Sequence, residues 1–217
     1  MSLQENIPAY ILCGGLSQRF GSDKARTLVD GQPQLLRLAG ALGAAGHAVC
    51  YVADRAERYR DLGIACLVDE QSHCGPLSGL CSALKHRAAQ PATPGDGTRA
   101  AGWLLLVNCD QALWDAGWFE QLWLAAAANP ATKVAAYHDS ARDDSAQHDT
   151  AWQPLPGLFH VDLMDEVAIR LQAGRLSLQQ LLGDMELLGQ CARVITDLSP
   201  NSWSFNTPEE LVKLSKR

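Results

Sequence analysis

The chain has 217 residues and a mass of 23.4 kDa, enough for one large domain or two very small ones. Hydrophobic residues make up 47% of the chain and charged residues 19%, a globular balance that excludes a disordered protein. The net charge of −6 and the pI near 5.4 argue against nucleic acid or an anionic membrane as a partner, because both repel an acidic protein.

The chain lacks the usual marks of membrane insertion or export. Its longest apolar stretch, residues 101–107, has the length of a strand and falls far short of the roughly 20 residues that a membrane span needs. The first residues lack the basic and apolar regions of an export signal. Seven scattered cysteines without a Cys-x-x-Cys pair are typical of reduced thiols rather than of disulfides or a zinc site. We therefore expect a cytoplasmic protein that does not bind a membrane.

Short apolar runs alternate with longer amphipathic ones along the first two thirds of the chain. In order, they predict strand 9–13, helix 35–46, strand 49–53, helix 56–62, strand 64–68, helix 77–87, strand 103–107, helix 114–128 and strand 134–137. Strands separated by helices indicate βαβ units. The pattern therefore predicts an α/β fold with a parallel sheet covered by helices on both faces.

In the last third of the chain, helices are predicted near 161–171, 178–182 and 208–213. Residues 88–97, rich in proline and glycine, and residues 138–149, polar and acidic, are predicted to be long loops. Neither composition shift is large enough to mark a domain boundary. We therefore expect one domain over residues 1–217.

The clearest functional motif is the stretch LCGGLSQRFGSDKA at residues 12–25, between a predicted strand and a helix. Ligands of open α/β sheets bind at the carboxyl ends of strands. Gly14 and Gly15 allow backbone N–H groups to approach an anion closely, Ser17 adds a hydroxyl, and Arg19 and Lys24 add positive charge. These features suit a polyphosphate, although neither the Walker pattern nor the Gly-x-Gly-x-x-Gly fingerprint is present. The alternative is a glycine turn with solvated charges.

Three weaker features follow along the chain. Asp110 comes after the most apolar strand and is either a magnesium ligand or a helix cap. Gly75 and Gly79 either let the backbone approach a base or belong to a loop that enters a helix. Asn206 either contacts a metal or forms part of a capping turn before the helix start at Thr207.

In their order and spacing, these four features resemble the MobA-like nucleotidyltransferases, in particular the guanylyltransferases of molybdenum cofactor synthesis. The resemblance runs from residue 9 to residue 211 and implies a Rossmann-like three-layer sandwich with a mostly parallel sheet. The implied reaction joins GMP from GTP to the terminal phosphate of molybdopterin, with Mg²⁺, and releases pyrophosphate. Transient contacts with proteins that make or accept the cofactor are a further expectation.

The resemblance also implies roles for individual residues. Lys24, Arg19 and Asp110 would be catalytic, through charge stabilisation at the phosphates. Asp110 and Asn206 would hold the metal. The expected nucleotide-binding positions, which include the glycine loop, are Leu12, Cys13, Gly14, Gly15, Ser17, Lys24, Asp69, Gly75, Gly79 and Asp110. The Gly14-Gly15 pair and the Gly75–Gly79 segment look like the guanine-selecting versions of the family's motifs.

The chain departs from the family pattern in several places. Cys13 stands where alanine is usual, Phe20 where methionine is usual, and Gln111-Ala112 where a proline often follows the aspartate; near residues 52–54 an expected asparagine is absent. Three other functions therefore stay open. They are a related transferase that uses CTP or a phosphosugar acceptor, a non-catalytic GTP-binding module, and a phosphate-binding scaffold without a nucleotide.

Overall fold

The computed structural model describes residues 7–15, 23–72, 74–90, 100–139 and 151–195, together with six positions near the carboxyl terminus: Ser204, Phe205, Thr207, Glu210, Leu211 and Leu214. The strands in these ranges are β1 (Ala9–Leu12), β2 (Leu28–Val29), β3 (Gln32–Pro33), β4 (Val49–Ala53), β5 (Leu67–Val68), β6 (Trp103–Asn108), β7 (Val134–His138), β8 (Trp152–His160) and β9 (Cys191–Ile195). The α-helices are α1 (Gln34–Ala44), α2 (Gly75–Ala89), α3 (Ala116–Ala128), α4 (Met164–Gln172) and α5 (Leu178–Leu187).

One mixed sheet of seven strands organises the described part of the chain, in the order β5-β4-β1-β6-β8-β7-β9. β8 runs antiparallel to both of its neighbours, and the other neighbouring pairs are parallel. β2 and β3 form a separate short hairpin. The sheet is thus mostly parallel, as predicted.

Helices cover both faces of this sheet. Leu35, Leu38 and Leu42 give α1 an apolar stripe that joins α3 in one core cluster. The second cluster, on the other face, contains the buried apolar residues of α2, α4 and α5. The three-layer α/β sandwich is therefore confirmed.

The parallel strands place their carboxyl ends at one edge of the sheet. Leu12 at the end of β1 pairs with Val52 of β4 and with Asn108 of β6, and Ala53 pairs with Val68 of β5. The turns that follow these strands therefore meet at the same edge. This edge is where ligands of open α/β sheets bind.

Most predicted elements of the first two thirds are confirmed, but one predicted helix is wrong and one predicted strand is too long. Strand 49–53 agrees with β4 at both ends. In place of helix 56–62 there are turns and a 3-10 turn, Arg60–Leu62, and strand 64–68 is reduced to β5. Short helices are marginal on their own. In residues 56–62, side chains instead form hydrogen bonds with other parts of the protein.

The strands β2, β3, β8 and β9 were not predicted. β8 carries Pro154, Pro156 and Gly157, residues that usually end a strand rather than continue it, yet it lies between β6 and β7. Tertiary pairing therefore overrides local composition here.

Two of the three predicted late helices are confirmed. α4 follows a 3-10 turn at Val161–Leu163, and α5 extends past the predicted end to Leu187. Of helix 208–213, Glu210 and Leu211 are helical, and residues 208, 209, 212 and 213 lie outside the described residues. α2 continues to Ala89, so the predicted loop 88–97 starts later than expected; residues 91–99 and 140–150 also lie outside the described ranges.

No helix of the described residues is long and apolar enough to cross a lipid bilayer. All seven cysteines are free thiols, three of them buried and four partly exposed.

Two alanine substitutions test the backbone of this fold. Gly102 has a φ of +80°, and a Cβ there would lie 2.5 Å from Nε2 of His160. Gly40 is exposed inside α1, with open space around it. We expect Gly102→Ala to lower the free energy of unfolding by about 1–2 kcal/mol, and Gly40→Ala to raise it by about 0.5–1 kcal/mol. Urea denaturation measures the free energy of unfolding of both variants. The same change in both would contradict the strain at Gly102.

Candidate nucleotide-binding site

An ion pair between Lys24 and Asp110 lies at the carboxyl edge of the sheet. Nζ of Lys24 is 3.5 Å from Oδ2 of Asp110, and the two side chains are only 12% and 20% exposed. Lys24 also donates a hydrogen bond of 3.2 Å to the carbonyl of Phe205, whose own N–H bonds to the carbonyl of Asp110. The structure thus brings two of the three predicted catalytic residues into direct contact.

Asp110 offers a carboxylate oxygen that the described residues leave unused. Its Oδ1 is buried and has no hydrogen-bond partner there. Burial raises the pKa of this carboxyl group, and the charge of Lys24 opposes that rise. A buried acceptor atom without a partner destabilises the folded protein unless a ligand binds to it. This atom therefore fits a bound cation.

The donor set favours a hard cation with few protein ligands. Among the described residues, no group of three or more His, Cys, Asp or Glu side chains could hold a metal ion. Mg²⁺ commonly takes one or two carboxylates and completes its shell with water and substrate phosphates. Asp110 suits that mode of binding, whereas Asn206, the other predicted ligand, lies outside the described residues.

Leu12, Asp69 and Gly79 meet where the first turns of α2 approach β1. A Cβ on Gly79 would lie 2.6 Å from Cδ2 of Leu12 and 3.3 Å from Oδ1 of Asp69, so a larger residue there would require the Leu12 side chain to shift. Asp69 is fixed by its N–H, which donates to the carbonyl of Ala53, and burial raises the pKa of its carboxyl group. Three predicted nucleotide-binding residues therefore form one wall.

Gly14 lies directly against the end of β4. A Cβ there would be 2.8 Å from the backbone N of Asp54 and 3.0 Å from Cα of Ala53. Around Gly15, in contrast, no atom of the described residues lies within 4 Å of such a Cβ. The first glycine is thus required by packing, while the second leaves the backbone accessible to a ligand.

Arg58, which the sequence analysis missed, binds the backbone of the glycine turn. Its Nη1 donates to the carbonyl of Gly14 at 2.9 Å and to Asp54 at 2.6 Å. Its Nη2 donates to the carbonyl of Gly15 at 3.2 Å and to Asp23 at 3.3 Å. One nearly buried guanidinium therefore connects both glycines with two carboxylates.

Tyr59 supports the same region from the core. Its hydroxyl is 2.8 Å from the carbonyl of Cys13 and 3.0 Å from Oδ2 of Asp23. Asp23 in turn accepts from the N–H of Ala25 and caps the 3-10 turn that contains Lys24. The chain on both sides of residues 16–22 is thereby fixed to the 54–59 segment.

The remaining predicted site residues divide into three groups. Ser17 and Arg19 lie outside the described residues, and Gly75 begins α2 with a φ of +66°. The thiol of Cys13 is buried and donates to the carbonyl of Val52, and the backbone N–H and carbonyl of Cys13 are bonded to Val52 and Tyr59. A hydrogen bond with Cys66 and burial raise the pKa of the Cys13 thiol.

The sequence did contain a signal for Arg58. Asp54 follows β4 at the edge where ligands bind, and Arg58 stands four positions later, the spacing of an ion pair on a helix. The spacing showed a local pair with Asp54. It did not show the contacts with Gly14, Gly15 and Asp23.

A cavity of about 300 Å³ lies at the opposite edge of the sheet. Trp103, Trp123, Lys133, His160 and Asp162 are among its lining residues. None of the predicted site residues that the structure describes lines it, so it provides a competing location against which the nucleotide site can be tested.

The two glycines provide a matched test of the turn. We expect Gly14→Ala to lower the free energy of unfolding by about 1–3 kcal/mol, because backbone atoms on β4 cannot give way easily. Gly15→Ala should change it by less than about 0.5 kcal/mol. Urea denaturation measures the free energy of unfolding of both variants. A Gly14→Ala variant as stable as the wild type would show that the packing argument is wrong.

Comparison with known proteins agrees with this architecture. Residues 9–190 match the MobA-like NTP transferase domain. A probable molybdenum cofactor guanylyltransferase of Deinococcus radiodurans is 30% identical over 97% of this chain and 95% of its own length, and one of Opitutus terrae is 26% identical over 92% and 90%. The solved structure of molybdopterin-guanine dinucleotide biosynthesis protein A from Archaeoglobus fulgidus superposes with a TM-score of 0.70 at 14% identity, covering 97% of both chains. The chain therefore belongs to the MobA-like NTP transferase family.

Proposed function

We propose that this protein is a molybdenum cofactor guanylyltransferase, which transfers GMP from GTP to the terminal phosphate of molybdopterin and releases pyrophosphate. Relatives that match nearly the whole chain carry that name. The observation that carries the proposal is the Lys24–Asp110 pair with its unpaired carboxylate oxygen at the ligand-binding edge of the sheet.

Lys24 is assigned to the phosphates of GTP. Its side chain is 12% exposed, its ammonium group is held between Asp110 and the carbonyl of Phe205, and it is close to the glycine turn in sequence. A fixed positive charge in a poorly hydrated site stabilises the charge that develops on a leaving pyrophosphate. Arg19 is assigned to the same phosphates, and Ser17 to the phosphate loop, on the basis of their places in the motif.

Asp110 is the residue that would hold Mg²⁺ through Oδ1, with Asn206 as a further ligand. When bound, the ion neutralises phosphate charge and orients the triphosphate. The ion pair with Lys24 keeps the carboxylate of Asp110 in place.

The base is assigned to the wall formed by Leu12, Gly79 and Asp69. Gly79 is buried against Leu12 and Asp69, so a ligand at this wall would contact the partly exposed side chains of Leu12 and Asp69. A carboxylate accepts hydrogen bonds only, which suits the N–H donors of guanine. Gly75 and Pro76 begin α2 beside this wall, and the positive end of the helix faces the same edge.

The chemistry requires no general base. A phosphate dianion of the acceptor is already nucleophilic at neutral pH and attacks the α-phosphorus in line with the departing pyrophosphate. The described residues then act by positioning and by electrostatic stabilisation. Accordingly, no histidine is given a catalytic role.

Pyrophosphate release tests the proposal directly. The purified protein is incubated with Mg²⁺, molybdopterin and each of GTP, CTP, ATP and UTP, and thermal unfolding is followed with each nucleotide. GTP should raise the melting temperature most and should alone give pyrophosphate together with the guanine dinucleotide product. Preference for CTP would point to a cytidylyltransferase. Binding of GTP without turnover would point to a non-catalytic module.

Replacing the lysine at the site should abolish most of the activity. We expect Lys24→Ala to lower kcat by about 100-fold or more, the scale for loss of one fixed electrostatic contact. Lys133→Ala is the matched control, since Lys133 lines the cavity at the opposite edge. A larger loss for Lys133→Ala than for Lys24→Ala would place the nucleotide in that cavity.

Replacing the carboxylate of Asp110 should weaken Mg²⁺ binding more than it destabilises the fold. Asp110→Asn keeps the backbone contact with Phe205 and the size of the side chain. We expect the Mg²⁺ concentration for half-maximal activity to rise at least about tenfold, because a neutral amide binds Mg²⁺ weakly. Asp162→Asn, at the opposite edge, should leave the magnesium titration unchanged. An unaltered titration for Asp110→Asn would remove Asp110 from the metal site.

A further inference from the structure

We propose that Arg58 is a positioning residue, which turns the Gly14–Gly15 peptide so that its N–H group faces the phosphates of the bound nucleotide. This inference rests on the proposed function and adds a residue to it. Neither the glycine motif nor the family resemblance pointed to Arg58.

The geometry begins with the four hydrogen bonds of the guanidinium. Its two terminal nitrogens bind the carbonyls of Gly14 and Gly15 and the carboxylates of Asp54 and Asp23. The side chain is 11% exposed; its contacts with Gly14, Asp54 and Asp23 are partly buried, and its contact with Gly15 is exposed. Arginine suits this task because its planar fork presents several donors in fixed directions.

Because the peptide bond is planar, the hydrogen bond from Arg58 to the carbonyl of Gly14 also fixes the direction of the N–H group of Gly15. In a trans peptide, the C=O and N–H groups point in opposite directions. Because the carbonyl of Gly14 points towards Arg58, the N–H of Gly15 points away from Arg58. No described residue accepts a hydrogen bond from this N–H group. Gly15 is exposed, and no atom of the described residues lies within 4 Å of a Cβ built on it, so the described part of the chain leaves this backbone open to a ligand.

The charges nearby argue against direct phosphate binding by Arg58 itself. Asp54 lies 2.6 Å and Asp23 3.3 Å from its guanidinium, so two carboxylates offset the single positive charge. Most of the donors are also occupied. The effect of Arg58 is therefore geometric, through the glycine peptide, rather than a contribution of net charge.

The first test uses the wild-type protein labelled with ¹⁵N-glycine. The Gly15 amide resonance is assigned by its loss in Gly15→Ala, a substitution for which the structure has room. Addition of GTP and Mg²⁺, and separately of pyrophosphate and Mg²⁺, should move this resonance strongly downfield, because its N–H gains a charged acceptor. Movement of other glycine resonances while Gly15 stays fixed would overturn the inference and leave the proposed function intact. No response of any glycine resonance to GTP and Mg²⁺ would overturn both.

The second test separates geometry from charge by kinetics. We expect both Arg58→Gln and Arg58→Lys to raise KM for GTP by about 10- to 100-fold, the scale of one hydrogen bond to a charged group. kcat at saturating GTP should stay within about threefold of wild type, because the contact exists in both the ground state and the transition state. Lysine keeps the charge but lacks the fork, so it should not rescue the binding.

Arg60→Gln is the control for these variants. Arg60 lies two positions further along the same segment, and its side chain is 82% exposed. The Arg60→Gln substitution should leave KM for GTP unchanged. Wild-type KM in Arg58→Lys would show that charge alone suffices and would overturn the positioning role, as would a KM for Arg58→Gln equal to that of Arg60→Gln.

Discussion

Lys24 and Asp110 meet because β1 and β6 are neighbouring parallel strands whose carboxyl ends lie at the same edge of the sheet. The turn after β6 presents Asp110, and the 3-10 turn that follows the glycine motif presents Lys24. Phe205 binds both residues through its backbone and is itself fully buried in a small cluster with Val29, Ala112, Leu211 and Leu214. The position of the ion pair thus depends on three distant parts of the chain.

The segment after β4 stabilises the other side of the site. Arg58 binds the backbone of Gly14 and Gly15, and Tyr59 binds that of Cys13. Both residues also contact Asp23, which caps the turn of Lys24. The backbone of the glycine turn and the ion pair are therefore connected through one network of hydrogen bonds, which limits the ways in which either can move.

Much of this arrangement could be predicted from the sequence, because βαβ periodicity places strand ends together. The glycine motif, Asp69 and Asp110 were found in this way, and the structure brings Leu12, Asp69 and Gly79 into one wall. The contacts of Arg58 could not be predicted, since they join residues that are separated in sequence and depend on a turn where the local pattern favoured a helix. β8 was missed for the opposite reason: its prolines disfavour a strand locally, and only pairing with β6 and β7 holds it in the sheet.

A crystal structure of the protein with GTP and Mg²⁺ tests the central claim most directly, because it shows where the triphosphate and the ion bind. The account predicts phosphate oxygens against Nζ of Lys24 and the Gly15 amide, with the ion on Oδ1 of Asp110. Nucleotide bound at the opposite edge of the sheet, in the cavity beside Trp103 and His160, would contradict it.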